Sequence, residues 1–214
     1  MAPTETRQPA PSPQQRSGQQ RSGRKRSGRR EAMLDAAAKL FSTRGYVDTG
    51  IDDIGEAVGV TGPAVYRHFK SKEALLVALL ERAVDHSEAI VPRVHAEAAS
   101  PDDALARLVE HTVAECIADR ELTAIYWQES RNLPATQRRR FERVQRELIE
   151  EYASILRQVR PDLSPSAARM AVYAASALMR SVANRESSLP EQELHRLLAS
   201  MAHESLLGAN TNDP

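Results

Sequence analysis

The sequence predicts an all-α fold of about nine helices, in which a small N-terminal three-helix unit precedes a larger helical body. Three observations carry this. Beyond residue 30, apolar residues recur at helical spacing through most of the chain. No stretch sustains an alternation of β-branched residues. Proline, glycine and serine punctuate the periodic segments at helix-length intervals. With 214 residues and 41% hydrophobic content, the chain is long enough for one or two domains with a core of their own.

The net charge of zero conceals an asymmetry. Residues 1–30 hold eight basic side chains against Glu5 alone, a net +7, so the remainder carries −7. This N-terminal stretch holds Pro3, Pro9, Pro11 and Pro13, then glutamines, then Arg-Ser-Gly at 16, 21 and 26, with almost no aliphatic side chain. Such a composition cannot bury enough surface to fold alone, so residues 1–29 read as a disordered basic arm. It either solubilises the chain or lies along a polyanion beside the first folded unit.

The first helix is expected from Arg30 to Arg44, with Ala32, Met33, Ala36, Ala37, Leu40 and Phe41 as its apolar stripe and Gly45 ending it. Tyr46 and Val47 pack the turn. Thr49 is the expected N-cap of a short second helix, with Asp52 and Asp53 in its first turn, where carboxylates suit the helix dipole. Ile51, Ile54 and Val58 fall at i, i+3 and i+7 on one face, and Gly59 can take the left-handed conformation that closes the helix. Thr61 then caps a third helix, in which Pro63 is tolerated in the first turn. Val65 and Phe69 anchor that helix. Thr61, Gly62, Pro63, Ala64, Tyr66, Arg67 and His68 are left to face outward, with Lys70 and Lys72 following at once.

This is a helix-turn-helix, and its outward set suits phosphates flanking a groove with the helix N-terminus near base edges. On this reading Thr49, Tyr66, His68 and Lys72 contact phosphates, while Gly62, Pro63, Ala64 and Arg67 lie nearest the bases, with Arg67 reading guanine, and Thr61 belongs to the same DNA-binding set.

The pattern Ile51-x-x-Ile54-x-x-x-x-Gly59-Val60-x-x-x-x-x-Tyr66-x-His68-Phe69-x-Ser71-Lys72, with the upstream Ala36 to Tyr46, resembles the DNA-binding signature of the TetR family of bacterial one-component regulators. The resemblance covers residues 30–76. Gly50 and Gly55 depart from it, standing where the family has better helix formers, so the second helix is expected to be soft. The resemblance implies a homodimer on a palindromic operator and a body, residues 77–210, that binds a small effector and dimerises. Repression follows from the family's habit.

Ser71 opens the connector helix, with Leu75, Leu76, Leu79, Leu80, Ala83 and Val84 on one side, expected to close around Pro92. Helices then follow over 102–119, 121–132, 134–159, 165–184 and 190–207. On the 134–159 helix, Arg139, Arg143 and Arg146 lie opposite Phe141, Val144, Leu148, Tyr152 and Ile155, with Glu147 and Glu150 four residues beyond the last two arginines, which reads as a solvated, self-paired face. The 165–184 helix is apolar over most of its circumference, with a narrow polar stripe of Arg169, Ser176 and Arg180. It must be covered on more than one side, by its own chain or, with Leu194, Leu197, Leu198 and Met201 of the last helix, by a symmetry mate.

The single tryptophan lies in the 121–133 stretch. Tyr126, Trp127, Glu129, Arg131, Phe141 and Tyr173 are the candidate ligand-lining residues. That region is similar in pattern to TetR-like regulators of lipid and sterol catabolism, which implies an acyl-CoA or other lipid-like effector. A lone cysteine, Cys116, at helical spacing with Leu105, Leu108, Val109 and Val113, reads as a small core residue and excludes an internal disulfide. The longest apolar run, Ala74 to Leu80, falls far short of a membrane span of about 20 residues. A cytoplasmic protein is expected, with no membrane partner and no cofactor. No catalytic or metal-ligand motif is found, so no enzyme is expected. The competing reading is a helical protein–protein adaptor without specific DNA binding, which leaves the outward Tyr66, His68 and Lys72 unexplained.

Overall fold

The structure is a computed structural model that describes residues 13–184 and 187–208, with side chains described from Gly28 onward except at Arg131 and Asn184. The described residues hold nine α-helices and no strand. They are α1 (Pro13–Arg44), α2 (Ile51–Ala57), α3 (Gly62–Tyr66), α4 (Lys72–Glu97), α5 (Pro101–Ala118), α6 (Arg120–Glu129), α7 (Ala135–Val159), α8 (Pro165–Met179) and α9 (Glu191–Leu207). Short 3₁₀ turns, Ser130–Asn132 and Arg180–Asn184, extend α6 and α8. Apart from the start of α1 and the end of α4, these bounds lie within about five residues of those the punctuation predicts.

α1 begins at Pro13, inside the stretch that the sequence reads as arm, while residues 1–12 lie outside the described residues. Glutamine and arginine are adequate helix formers, and nothing in the sequence between Pro13 and Arg30 offers an apolar stripe. Intrinsic propensity alone therefore supports that part of α1.

α4 does not stop at Pro92 but runs through it to Glu97. Proline removes one backbone donor, and the carbonyl left without it is that of Glu88. Pro92 and Glu88 are both exposed, so water can satisfy that carbonyl and the helix continues. Elsewhere the ends are capped as serine dictates. The Ser71, Ser100 and Ser164 hydroxyls accept from the amides of Ala74, Asp103 and Ala167 at 3.0, 3.2 and 3.2 Å.

Two hydrophobic cores result. One joins Met33, Phe41, Ile54, Val65, Phe69, Leu76 and Leu80 of α1–α4 to Leu122 and Ile125 of α6 and to Leu133, Phe141 and Val144. The other gathers the end of α4 with α5, the second half of α7, α8 and α9, around Leu105, Leu108, Leu156, Val172, Met179 and Leu198. The first core passes residue 76 through Leu79, Leu80 and Val84, and α6 and α7 contribute to it. The helix-turn-helix head is thus seated on the body through a shared interior rather than hung from α4 alone. Phe141, 3% exposed, belongs to that interior, which corrects its assignment to a ligand wall.

The expected pairing along α7 is found for Arg143 and Glu147, whereas Glu150 pairs across to α8. Arg138 and Arg143 approach Glu142 and Glu147 one turn on, both at 3.9 Å, while Arg140 reaches Glu81 on α4 and Glu150 pairs with Arg169 on α8. Exposed pairs of this kind are worth little each. Their consequence is a solvated face rather than a second polyanion site.

Candidate functional site

The turn between α2 and α3 rests on two glycines. Gly59 takes φ +69, the left-handed conformation that ends α2. Gly55 is not a weak point: a Cβ there would stand 2.8 Å from the Val60 carbonyl oxygen, whose residue's amide donates to the Gly55 carbonyl at 2.8 Å. The departure from the family pattern is therefore a close approach of two backbone segments. The α2 N-cap is Gly50 rather than Thr49, its amide donating to the Asp53 carboxylate at 2.6 Å.

Val65 and Phe69 are buried beneath α3, as their spacing predicts. Thr61, Pro63, Tyr66 and Arg67 are exposed, Tyr66 by 54%, while Ala64 and His68 are half-buried beside them. The Thr61 hydroxyl makes no capping bond; its backbone carbonyl accepts from Ala64 and Val65 instead.

Three other candidates face elsewhere. Thr49 is 1% exposed, and its hydroxyl donates to the Gly45 carbonyl at 2.9 Å. Gly62 is buried, and a Cβ there would meet the Asp52 carboxylate at 2.0 Å. Lys72 extends its ammonium to the carbonyls of Tyr46, Val47 and Thr49 at 2.8, 3.1 and 2.9 Å, above the Tyr46 ring. An ammonium has three donors and all three are spent. In this conformation Lys72 fastens the α1–α2 turn to α4, and Thr49 and Gly62 serve packing, so none of the three presents itself to a phosphate or a base.

A cavity of about 160 Å³ opens between α4, α5, α6, α7 and α8. Its walls are largely apolar, including Val84, Ile90, Leu122, Val144 and Leu148. Tyr126, Trp127 and Tyr173 line it, as the sequence suggests. Glu129 does not. It is 7% exposed, and its carboxylate accepts from the Tyr46 amide and from Asn132 Nδ2. Arg131 lies outside the residues whose side chains are described.

Sequence reading missed the polar part of the wall: His86, Glu115, Asp119, Tyr152 and Arg180. His86 Nδ1 stands 3.7 and 3.9 Å from Glu115 and Asp119, and Arg82 bridges Asp119 to Asp35 of α1 at 3.3 and 2.7 Å. The Asp35 hydrogen bond, first among its neighbours' effects, raises the Arg82 pKa. Burial pushes Tyr126 and Tyr152 up to about 12 and Cys116 up to about 11, so all three are neutral at ordinary pH. The Tyr152 and Thr112 hydroxyls share a hydrogen bond of 2.8 Å. The available signal for Arg180 was the polar stripe on α8: of its three members, Ser176 and Arg180 line the cavity. Among the described residues no group of three or more His, Cys, Asp or Glu could hold a metal, and no helix is long and apolar enough to cross a membrane.

A compact helix-turn-helix with one short exposed helix, seated on an all-helical body that holds a side cavity, defines a class: helix-turn-helix proteins with a helical companion domain. Residues 33–79 match the family described as bacterial regulatory proteins, tetR family, and residues 98–184 match the tetracyclin repressor-like C-terminal domain. The chain belongs to the TetR family. It is 44% identical over 57 residues to the HTH-type transcriptional activator FasR of Mycolicibacterium smegmatis, covering 27% of this chain and 26% of FasR. It is 35% identical over 96 residues to the HTH-type transcriptional repressor ComR of Escherichia coli, covering 44% of this chain and 45% of ComR. The matched segments thus span less than half of these relatives.

Among solved structures, a TetR-family transcriptional regulator from Bordetella parapertussis aligns over 86% of this chain and 97% of its own, with a TM-score of 0.77 and 24% identity. AibR, solved in complex with isovaleryl coenzyme A and operator DNA, aligns over 81% and 97%, with a TM-score of 0.68 and 20% identity. At these identities the likeness establishes the fold.

Proposed function

We propose that this protein is a dimeric, ligand-responsive transcription regulator that binds a palindromic operator through α3 and releases it when a small hydrophobic or acyl-type effector occupies the cavity. One observation carries the reading: α3 and its flanks leave Thr61, Pro63, Tyr66 and Arg67 exposed and Ala64 and His68 half-buried, over anchors, Val65 and Phe69, that are buried. A short helix gains nothing from such exposure unless a partner covers it. Arg67 is the residue for direct base readout, and Tyr66 and His68 flank it toward phosphates. The basic segment 1–29 adds phosphate neutralisation that does not depend on sequence.

Dimerisation is supported by the apolar side chains left uncovered on α8 and α9, Met170, Tyr173, Leu197 and Met201, each more than 40% exposed. Two heads at fixed separation match two half-sites of a palindrome. Occupancy acts only if the effector binds one spacing of the heads more tightly than the other. The isovaleryl coenzyme A in AibR supports an acyl-type effector here. Repression is the expected direction, as for ComR, although FasR is an activator.

The test is selection of duplexes from a random library by the full-length protein, followed by fluorescence anisotropy across a salt series. Enrichment of an inverted repeat, bound with a steep salt slope, is expected. Recovery of no sequence preference, with no salt-dependent affinity, would leave the adaptor reading in place.

A further inference from the structure

The charges around the cavity are not evenly matched. Its carboxylates already have polar neighbours: Glu115 stands 3.7 Å from His86 Nδ1, and Asp119 lies 3.9 Å from the same ring and 3.3 Å from the Arg82 guanidinium. Among the described residues Arg180 has no such partner. It follows α8 as the first residue of the 3₁₀ turn, lines the cavity and is partly buried, and its guanidinium lies 3.9 Å from the centre of the Trp127 ring. Among the described residues no carboxylate lies within ion-pair distance of it.

The Cys116 thiol offers no counter-charge, because burial holds it neutral. Burial also pulls the Arg180 pKa down, which is what desolvation does to a cation that no anion compensates. The contact with Trp127 holds the guanidinium over the ring at the cavity wall.

We propose that the cavity takes a small amphipathic carboxylate, with its apolar body against Val84, Leu122, Val144 and Leu148 and its carboxylate paired with Arg180 on the face of Trp127. This rests on the reading of the cavity as an effector site, and it narrows the effector to a free acid rather than a thioester. A carboxylate accepts two parallel charge-assisted hydrogen bonds from an arginine, which a neutral ester or thioester carbonyl cannot match. Size points the same way. At about 160 Å³ the space lies below the roughly 300–1,000 Å³ usual for drug-sized ligands, which suits a small acid.

The experiment uses the full-length protein and two acids, octanoate and cyclohexylacetate, each with its methyl ester and its coenzyme A thioester. Calorimetry is the readout, with release of library-selected DNA measured separately. The acids are expected to bind at least about 10-fold more tightly than their esters. In Arg180→Gln that ratio is expected to fall toward one while ester binding is kept, and Arg180→Lys should restore part of it.

Equal affinity of acid and ester in the unaltered protein overturns the proposal, and so does tighter binding of the thioester or failure of every acid to bind; none of these depends on the variants folding. Release of DNA by a thioester while the acids do nothing would sink the proposal and keep the effector reading. Tight binding of an acid that leaves DNA affinity unchanged would do the reverse.

Discussion

The Glu129 carboxylate at the end of α6 accepts the backbone amide of Tyr46, in the turn between α1 and α2, at 3.2 Å. Eighty-three residues separate the two, and the bond joins the end of α6, a helix that helps to line the cavity, to the helix-turn-helix. Trp127, two residues before Glu129, lines the cavity, and the Tyr46 carbonyl is held in turn by Lys72 at the start of α4. A shift of α6 on ligand entry would be passed to the turn that supports α2. Replacing Glu129 with alanine leaves the Tyr46 amide without an acceptor, at a cost of about 1–3 kcal/mol. The measurement is urea unfolding, together with DNA affinity with and without effector. We expect the variant to be less stable and its DNA affinity less responsive to ligand. Unchanged stability would show that the bond is not needed.

Lys72 separates two readings cleanly. As a phosphate contact, its removal would lower the slope of log affinity against log salt by about one. As a fastener of the carbonyls of Tyr46, Val47 and Thr49, its replacement by methionine should destabilise the head by about 1–3 kcal/mol and leave that slope unchanged. Anisotropy titrations at several salt concentrations, beside a denaturation curve, distinguish them. We expect the second result.

Gly55→Ala places a methyl 2.8 Å from the Val60 carbonyl oxygen, and that neighbour is backbone, which cannot rotate away. Overpacking of this kind costs about 1–3 kcal/mol, against a gain of up to about 1 kcal/mol in helix propensity. A net loss of thermal stability is expected, and a stabilised variant would mean that the turn yields easily.

These residues also show how far the sequence could be read. Helical periodicity and punctuation were enough for nine helices, because serine caps, Gly45 and Gly59 act locally. The exposed face of α3 was legible for the same reason: Val65 and Phe69, four residues apart, fix which side is buried. What could not be read depends on partners far along the chain. Nothing near Lys72 says that three carbonyls some 25 residues earlier will accept its hydrogen bonds. Glu129 and Phe141 were candidates for the ligand wall because they sit near Trp127 in sequence, yet the first binds the head and the second fills the core beneath it. Arg180 was noticed as part of a polar stripe. Its place in the cavity needed α6 and α8 brought together.

Arg67 is exposed just after the last turn of α3. Arg67→Ala should cost about 1–3 kcal/mol of discrimination at one base pair of each half-site and relax the preference there. Affinity for random duplex should fall less. Competition of the selected operator against single-base variants measures this, and an unchanged preference at every position would remove Arg67 from the base-reading set.

The uncovered side chains of α8 and α9 allow the dimer to be tested apart from folding. Leu197 and Met201, 46% and 47% exposed and one turn apart on α9, share that surface with Met170 and Tyr173 of α8. Glutamate at 197 and 201 adds two charges where a second copy would have to desolvate them. In the isolated chain these positions meet water, so the fold should lose no more than about 0.5 kcal/mol for each change. The expected outcome is a monomer by sedimentation, with a melting transition that no longer depends on concentration. Operator affinity should fall toward that for random duplex, because a single head engages one half-site. A variant that stays dimeric would move the interface away from α9, and a monomer with undiminished operator affinity would separate recognition from pairing.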